Sequence, residues 1–163
     1  MSDNPINMFN MLRRPLSVGD YVKNVTIDPE TGVNIYDFIS NHLLLFCFST
    51  DCKSCISTLE VVYEFMEKNR NLNMLILIST PEEDFHSIKS LFEDKVTGMF
   101  LVEKYVLTKK IGAREMPRGY CLNKLGQVLA TNNSFNQYWM AKLVEPLENI
   151  VDFVTLEEKV DES

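Results

Sequence analysis

The chain has 163 residues, of which 45% are hydrophobic and 24% charged, as expected for one globular domain with its own core. A net charge of −7 and scattered Lys and Arg argue against a nucleic-acid partner, because no basic stripe can meet phosphates. No run approaches the ~20 apolar residues of a membrane span, and the first residues lack the pattern of a secretory signal. We therefore expect a cytoplasmic protein without a membrane span, with an anchor outside this sequence as the open alternative.

The N-terminal part predicts an extension followed by a small hairpin. Residues 1–15 have no hydrophobic period and are assigned to an N-terminal extension. Val22–Ile27 alternates weakly, as a strand does, and Val33–Ile35 follows a Glu-Thr-Gly turn signal and can pair back with it. One domain is expected over residues 16–154, and the acidic residues 155–163 are expected to be disordered.

Two continuous apolar runs predict parallel strands buried on both faces: Leu43–Ser49 and Met74–Ile78. Between them, Ile56–Lys68 has the apolar spacing of an amphipathic helix. The turn before that helix carries Cys52-Lys53-Ser54-Cys55. A strand, a short turn with C-x-x-C and a helix form the layout that thiol–disulfide exchange requires, since the free N–H groups and positive dipole end of a helix favour a thiolate.

The two-residue spacer places both sulfurs on one helical turn, close enough to form a disulfide. We assign Cys52 as the attacking thiol and Cys55 as the resolving thiol. The competing interpretation is half a zinc site or a pair of inert thiols. Zinc requires four ligands, usually in two clustered pairs, and the remaining cysteines, Cys47 and Cys121, lie in apolar runs where they are expected to fill the core.

The rest of the chain alternates helices and strands. Ser79-Thr80-Pro81 predicts a helix start, with a hydroxyl cap and Pro at the first helical position, and the helix is expected to reach Phe92. Further elements are expected at Gly98–Val102 (a strand suited to a sheet edge), Lys104–Ile111 (a short helix), Tyr120–Asn123 and Gln127–Ala130 (an antiparallel hairpin) and Phe135–Val144 (a helix). Phe135, Tyr138 and Trp139 are assigned to the core. This order predicts an α/β sandwich: a mixed sheet, parallel first and antiparallel last, with helices on both faces.

With these elements in place, roughly residues 16–150 resemble the thioredoxin-like superfamily, and within it bacterial redoxins of the TlpA, ResA and AhpC/TSA type. The resemblance rests on C-x-x-C after the apolar strand, on Met116-Pro117 at the start of a later strand, and on two segments. Those segments are 117–126, similar to the family's P-x-x-F-L-I-D-x-x-G, and 16–33, similar to its opening.

The resemblance implies that Pro117 is cis and that Met116 and Pro117 bind substrate, the backbone of Met116 pairing with an extended peptide. Arg118 either meets an acidic substrate or is a plain surface residue. The chain departs from the family at Asp51, where a Trp is usual, and at Phe46, where ordinary thioredoxins have a buried acid. Substitutes for that acid are open: Glu82, Glu83 or Asp84.

The resulting hypothesis is a thiol–disulfide oxidoreductase that acts on protein or peptide disulfides through Cys52 and Cys55. It implies no dissociable cofactor and no metal, and it requires a reductase or other electron donor that recycles the pair. The alternative is a non-catalytic thioredoxin-like binding module that assists a peptide- or protein-maturation system.

Overall fold

The structure, a computed structural model, describes residues 14–151. The predicted extension, apart from residues 14 and 15, and the predicted acidic tail lie outside the described residues. The strands are β1 (Thr26–Asp28), β2 (Val33–Asn34), β3 (His42–Ser49), β4 (Met74–Ser79), β5 (Gly98–Leu101), β6 (Arg118–Asn123) and β7 (Val128–Asn132). The α-helices are α1 (Cys55–Lys68), α2 (Glu82–Phe92) and α3 (Gln137–Val144). The chain also has 3₁₀ turns at Ile35–Phe38 and Glu145–Leu147 and a π-helix at Val106–Ile111.

Five strands form one mixed sheet in the order β5-β4-β3-β6-β7. β3 pairs with β4 in parallel, and β4 with β5, whereas β6 is antiparallel to both β3 and β7. The predicted parallel pair, the C-terminal hairpin and the edge position of β5 are therefore confirmed. β3 lies at the centre of the sheet, so the turn after Ser49 projects from its middle.

The sheet separates two hydrophobic cores, because side chains of a strand alternate between its faces. One core packs the sheet against all three α-helices and contains Phe46 and Phe48 from β3. The other contains Leu45 and Cys47 and packs beneath the N-terminal hairpin and the π-helix. The predicted sandwich with helices on both faces is confirmed: the three α-helices lie on the first face, and the π-helix and the 3₁₀ turn at Ile35–Phe38 lie on the second.

The predicted N-terminal hairpin is present as the antiparallel pair β1 and β2. β1 is shorter than the predicted strand Val22–Ile27, because Val22 does not join it. Val22 is buried, and its N–H donates to the carbonyl of Gly126, which ties the hairpin to the β6–β7 turn. The Tyr36 hydroxyl reinforces this link by donating to the carbonyl of Val22 at 2.6 Å.

Two predictions about the helices are wrong. α2 begins at Glu82, with Pro81 as its N-cap and no side-chain cap, so the expected hydroxyl cap is absent. Tyr138 and Trp139 are 52% and 40% exposed rather than buried, because the buried stripe of α3 consists of Met140, Leu143 and Val144.

None of the helices between residues 14 and 151 is long and apolar enough to cross a lipid bilayer.

Candidate active site

The turn between β3 and α1 holds the two cysteines in different environments. The Cys52 N–H donates to the carbonyl of Ser49 at 3.1 Å, and the Cys55 N–H donates to the carbonyl of Cys52 at 3.3 Å. Cys55 is the first residue of α1 and is fully buried, whereas Cys52 stands one turn ahead and is partly exposed. The asymmetry of exposure expected from the sequence is present.

The pKa of Cys52 lies below that of an ordinary thiol. Its partial burial works in the opposite direction, but hydrogen bonds from the Cys55 thiol, the Ser54 hydroxyl and the backbone N–H groups of both residues stabilise the thiolate. The Ser54 Oγ lies 3.4 Å from the Cys52 sulfur. The N-terminal turn of α1 therefore supplies donors directed at this sulfur, as expected from its position.

The pKa of Cys55 is raised to about 12. Burial is the main cause, and the hydrogen bond to Cys52 and the negative charges of Cys52 and Asp51 add to it. Cys52 is therefore the more acidic of the two thiols. The two thiols of the motif differ in both exposure and acidity, as an attacking thiol and a resolving thiol do.

The loop before β6 brings Met116 to the dithiol. The Met116–Pro117 peptide bond is cis, which confirms the expectation from the resemblance. The Cys52 thiol donates to the carbonyl of Met116 at 3.2 Å. Three of the four residues selected from the sequence thus meet at one place: Cys52, Cys55 and Met116. The fourth, Pro117, follows Met116 across the cis peptide bond and is buried.

Asp51 makes an ion pair that the sequence did not indicate. Its carboxylate accepts hydrogen bonds from the Lys104 ammonium, at 2.7 Å, and from the Ser49 hydroxyl. These two bonds hold the pKa of Asp51 below its usual range. No local pattern could reveal the pair, because Lys104 lies next to the π-helix and reaches Asp51 only through the fold.

Among residues 14–151, none of the three acids considered as substitutes takes the place of the acid that ordinary thioredoxins keep at the position of Phe46. Phe46 is fully buried among aromatic rings, 6.3 Å from Phe48 between ring centroids. Glu82, Glu83 and Asp84 are all exposed on α2, and Glu82 faces His86 at 3.8 Å. None of the three hydrogen-bonds either sulfur of the pair.

The remaining cysteines fill the cores, as expected. Burial raises the pKa of both Cys47 and Cys121 to about 12, so neither competes with Cys52 as a thiolate. Arg118, beside Cys47 on the adjacent strand, is half-buried rather than a plain surface residue. Among residues 14–151, no group of three or more His, Cys, Asp and Glu side chains could hold a metal ion.

No protein-family model matches the sequence, and no curated protein matches it. Solved structures do match the fold. The thioredoxin domain of a thiol-disulfide oxidoreductase from Bacteroides vulgatus is 17% identical, with a TM-score of 0.61, over 84% of this chain and 99% of that chain. A thiol:disulfide interchange protein from Bacteroides sp. is 16% identical, with a TM-score of 0.59, over 80% of this chain and 91% of that chain.

A third match is a secreted disulfide oxidoreductase of Mycobacterium tuberculosis, homologous to E. coli DsbE. It is 12% identical, with a TM-score of 0.60, over 76% of this chain and 96% of that chain. At these identities the matches establish the architecture, which is also the one that the strand order and the position of the dithiol define. The chain therefore has the thioredoxin-like fold.

Proposed function

We propose that this protein is a thiol–disulfide oxidoreductase that acts on protein or peptide disulfides through Cys52 and Cys55. One observation carries the proposal: a partly exposed thiol with a lowered pKa stands one helical turn from a buried thiol with a pKa of about 12. A zinc site would require further ligands that the described residues do not bring together. An inert pair would have no need of donors directed at one of its sulfurs.

The chemistry is two successive exchanges. The Cys52 thiolate attacks one sulfur of the substrate disulfide, a mixed disulfide forms, and the displaced substrate sulfur leaves as a thiolate that takes up a proton. Cys55 then gives up its proton and attacks the Cys52 sulfur, which releases the second substrate thiol. Two electrons have passed to the substrate, and Cys52 and Cys55 are left joined as a disulfide.

Met116 and Pro117 are proposed to hold the substrate chain. The Met116 carbonyl lies 3.2 Å from the attacking sulfur, so an acceptor for a peptide N–H is present beside the reacting atom. A substrate segment that pairs with this backbone in an extended conformation would be bound largely independently of its sequence. Side-chain specificity would then come from surfaces around the turn.

In a reducing compartment the resting form is the dithiol, so the net work is reduction of substrates. We propose a cytoplasmic location, which would provide such a compartment. Each cycle leaves the pair oxidised, and the protein therefore needs a partner that supplies two electrons, a reductase or a small dithiol donor.

Turnover of insulin disulfides under a chemical reductant tests the proposal. The wild type should accelerate insulin precipitation, Cys52→Ser should abolish the acceleration, and Cys121→Ser, which removes a buried thiol outside the motif, should retain it. Loss of activity in neither variant, or in both, would contradict the assignment. The reduction potential of the pair then gives the direction: about −270 mV indicates a reductant and about −120 mV an oxidant.

A binding module is the second candidate, and Phe46 is the observation in its favour. A buried ring occupies the place of an acid that assists proton transfer, and such a substitution is compatible with a scaffold that has lost catalysis. Substrate binding that is unaffected by Cys52→Ser, with no insulin turnover in the wild type, would favour this function.

A further inference from the structure

A groove runs between α1 and α2 and begins at the dithiol turn. Its volume is about 1230 Å³, and it is lined at one end by Thr50 and Asp51, the two residues before Cys52. The Thr50 and Thr80 hydroxyls are joined at 2.8 Å, which ties together the loops that lead into the two helices. We call this feature the α1–α2 groove. It runs beside the 14-residue α1, which is about 20 Å long, enough for about six residues of extended peptide.

The walls of the groove are apolar and partly open to solvent. Tyr63 on α1 and Phe92 on α2 meet edge to face, with ring centroids 5.6 Å apart, where the two helices come together. Ile56 and Leu91, one on each helix, are 59% and 58% exposed although both line the groove. Large apolar side chains left in water on both sides of a cleft favour a partner that buries them.

The charged side chains that line the groove are all acidic, although the Lys95 ammonium lies beside it, 5.0 Å from the centroid of the Tyr63 ring. The groove is lined by five carboxylates and, within the described chain, by no Lys, Arg or His: Asp51, Glu60, Glu64, Glu67 and Asp84. Two of them have cationic partners, since Asp51 pairs with Lys104 at 2.7 Å and Glu67 with Lys95 at 3.8 Å.

The other three carboxylates, those of Glu60, Glu64 and Asp84, have no ion pair in residues 14–151. Glu60 and Glu64 are four residues apart on α1, a spacing at which like charges repel. The unpaired negative charge is thus concentrated beside exposed apolar side chains, on a path that leads to the attacking sulfur.

We propose that the α1–α2 groove binds a cationic, apolar segment of the disulfide-containing substrate and so directs the neighbouring disulfide to Cys52. The inference rests on the proposed function and adds to it the class of substrate. Lys or Arg side chains of that segment would pair with Glu60, Glu64 and Asp84, while its apolar side chains cover Ile56 and Leu91. The same three carboxylates would repel anionic segments. This repulsion would give the protein a selectivity that backbone pairing at Met116 cannot provide.

The test uses two synthetic peptides with the same disulfide and the same apolar residues, one carrying lysines and the other glutamates in their place. With the reduced wild type, the lysine peptide should exchange at least about tenfold faster at low salt, since a charged cleft steers opposite charge. The ratio should shrink in about 0.5 M salt, where screening shortens the Debye length to about 4 Å.

Neutralising the groove should remove the preference. In the triple variant Glu60→Gln, Glu64→Gln and Asp84→Asn, we expect the ratio of the two rates to fall to within about threefold of one, by loss of steering. The matched control neutralises three exposed carboxylates that do not line the groove, by Glu30→Gln, Asp94→Asn and Glu148→Gln. It has the same net charge and should keep the wild-type ratio.

Equal rates for the two peptides with the wild type, or an equal loss of preference in the two triple variants, would overturn the groove proposal. A separate measurement keeps the groove proposal distinct from the proposed function. A cysteine-free form of the lysine peptide should bind the wild type and the control triple, but bind the groove triple at least about tenfold more weakly. If the wild type fails to exchange even with neutral hydroxyethyl disulfide, the redox function is contradicted, and this binding comparison still decides the groove.

Discussion

At the scale of single residues, the two sulfurs of the motif differ in burial and in acidity. Cys52 is partly exposed and its thiolate is stabilised by donors at the start of α1, whereas Cys55 is fully buried with a pKa of about 12. A thiolate is the reactive form of cysteine in both alkylation and exchange. The difference between the two sulfurs is therefore visible to a simple chemical probe.

We predict that iodoacetamide modifies Cys52 first in the reduced protein. Because the pKa of Cys52 is lowered, its alkylation rate should rise with pH through a midpoint below that of a free cysteine. Cys55, Cys47 and Cys121 should remain unmodified below pH about 9, since their native pKa values are about 12. Peptide mass spectrometry after timed alkylation checks this, and equal labelling of two sulfurs would contradict it.

At the scale of elements, the N-terminal hairpin is fastened to the β6–β7 turn through Gly126. This residue has φ of +82°, and a Cβ there would lie 2.6 Å from the Tyr36 hydroxyl oxygen, the group that donates to Val22. Gly32 provides a comparison, because its φ of +73° is similar but a Cβ there would meet no atom within 4 Å.

We predict that Gly126→Ala lowers the free energy of unfolding by about 2–4 kcal/mol, as the sum of left-handed backbone strain and displacement of the Tyr36 ring. Gly32→Ala should cost only the strain, about 1 kcal/mol. Urea unfolding of the two variants measures the difference. Equal losses would show that the contact between Tyr36 and the turn does not fasten the hairpin.

Elements whose signal lies in their own residues could be predicted. The apolar runs of β3 and β4, the helical spacing of α1 and the Asn-Lys-Leu-Gly turn before β7 each determine local structure through burial or turn chemistry, and the structure has all of them. The wrong assignment of Tyr138 and Trp139 has a physical cause: α3 is short, and its buried stripe depends on the angle at which it meets the sheet, which the sequence does not encode locally.

At the scale of the whole molecule, the site is an outcome of topology. The dithiol turn leaves the central strand, and antiparallel pairing of β6 with β3 returns Met116 to within 3.2 Å of Cys52 across a long separation in sequence. Proximity of these residues could be expected only from the family resemblance. The ion pair of Asp51 with Lys104 and the groove between α1 and α2 could not be expected at all, since both arise from the packing of distant segments.

Trapping on a defined disulfide peptide distinguishes an attacking Cys52 from a resolving Cys55. In Cys55→Ser the attack by Cys52 remains but the resolving step is lost, so a mixed disulfide through Cys52 should accumulate. Its mass should be that of the protein plus one peptide half, and a reductant should cleave it. Cys52→Ser should accumulate none, and circular dichroism should show that both variants are folded. A folded Cys55→Ser variant that captures no peptide, or a trap that forms through Cys55 in Cys52→Ser, would contradict the assigned roles of the two thiols.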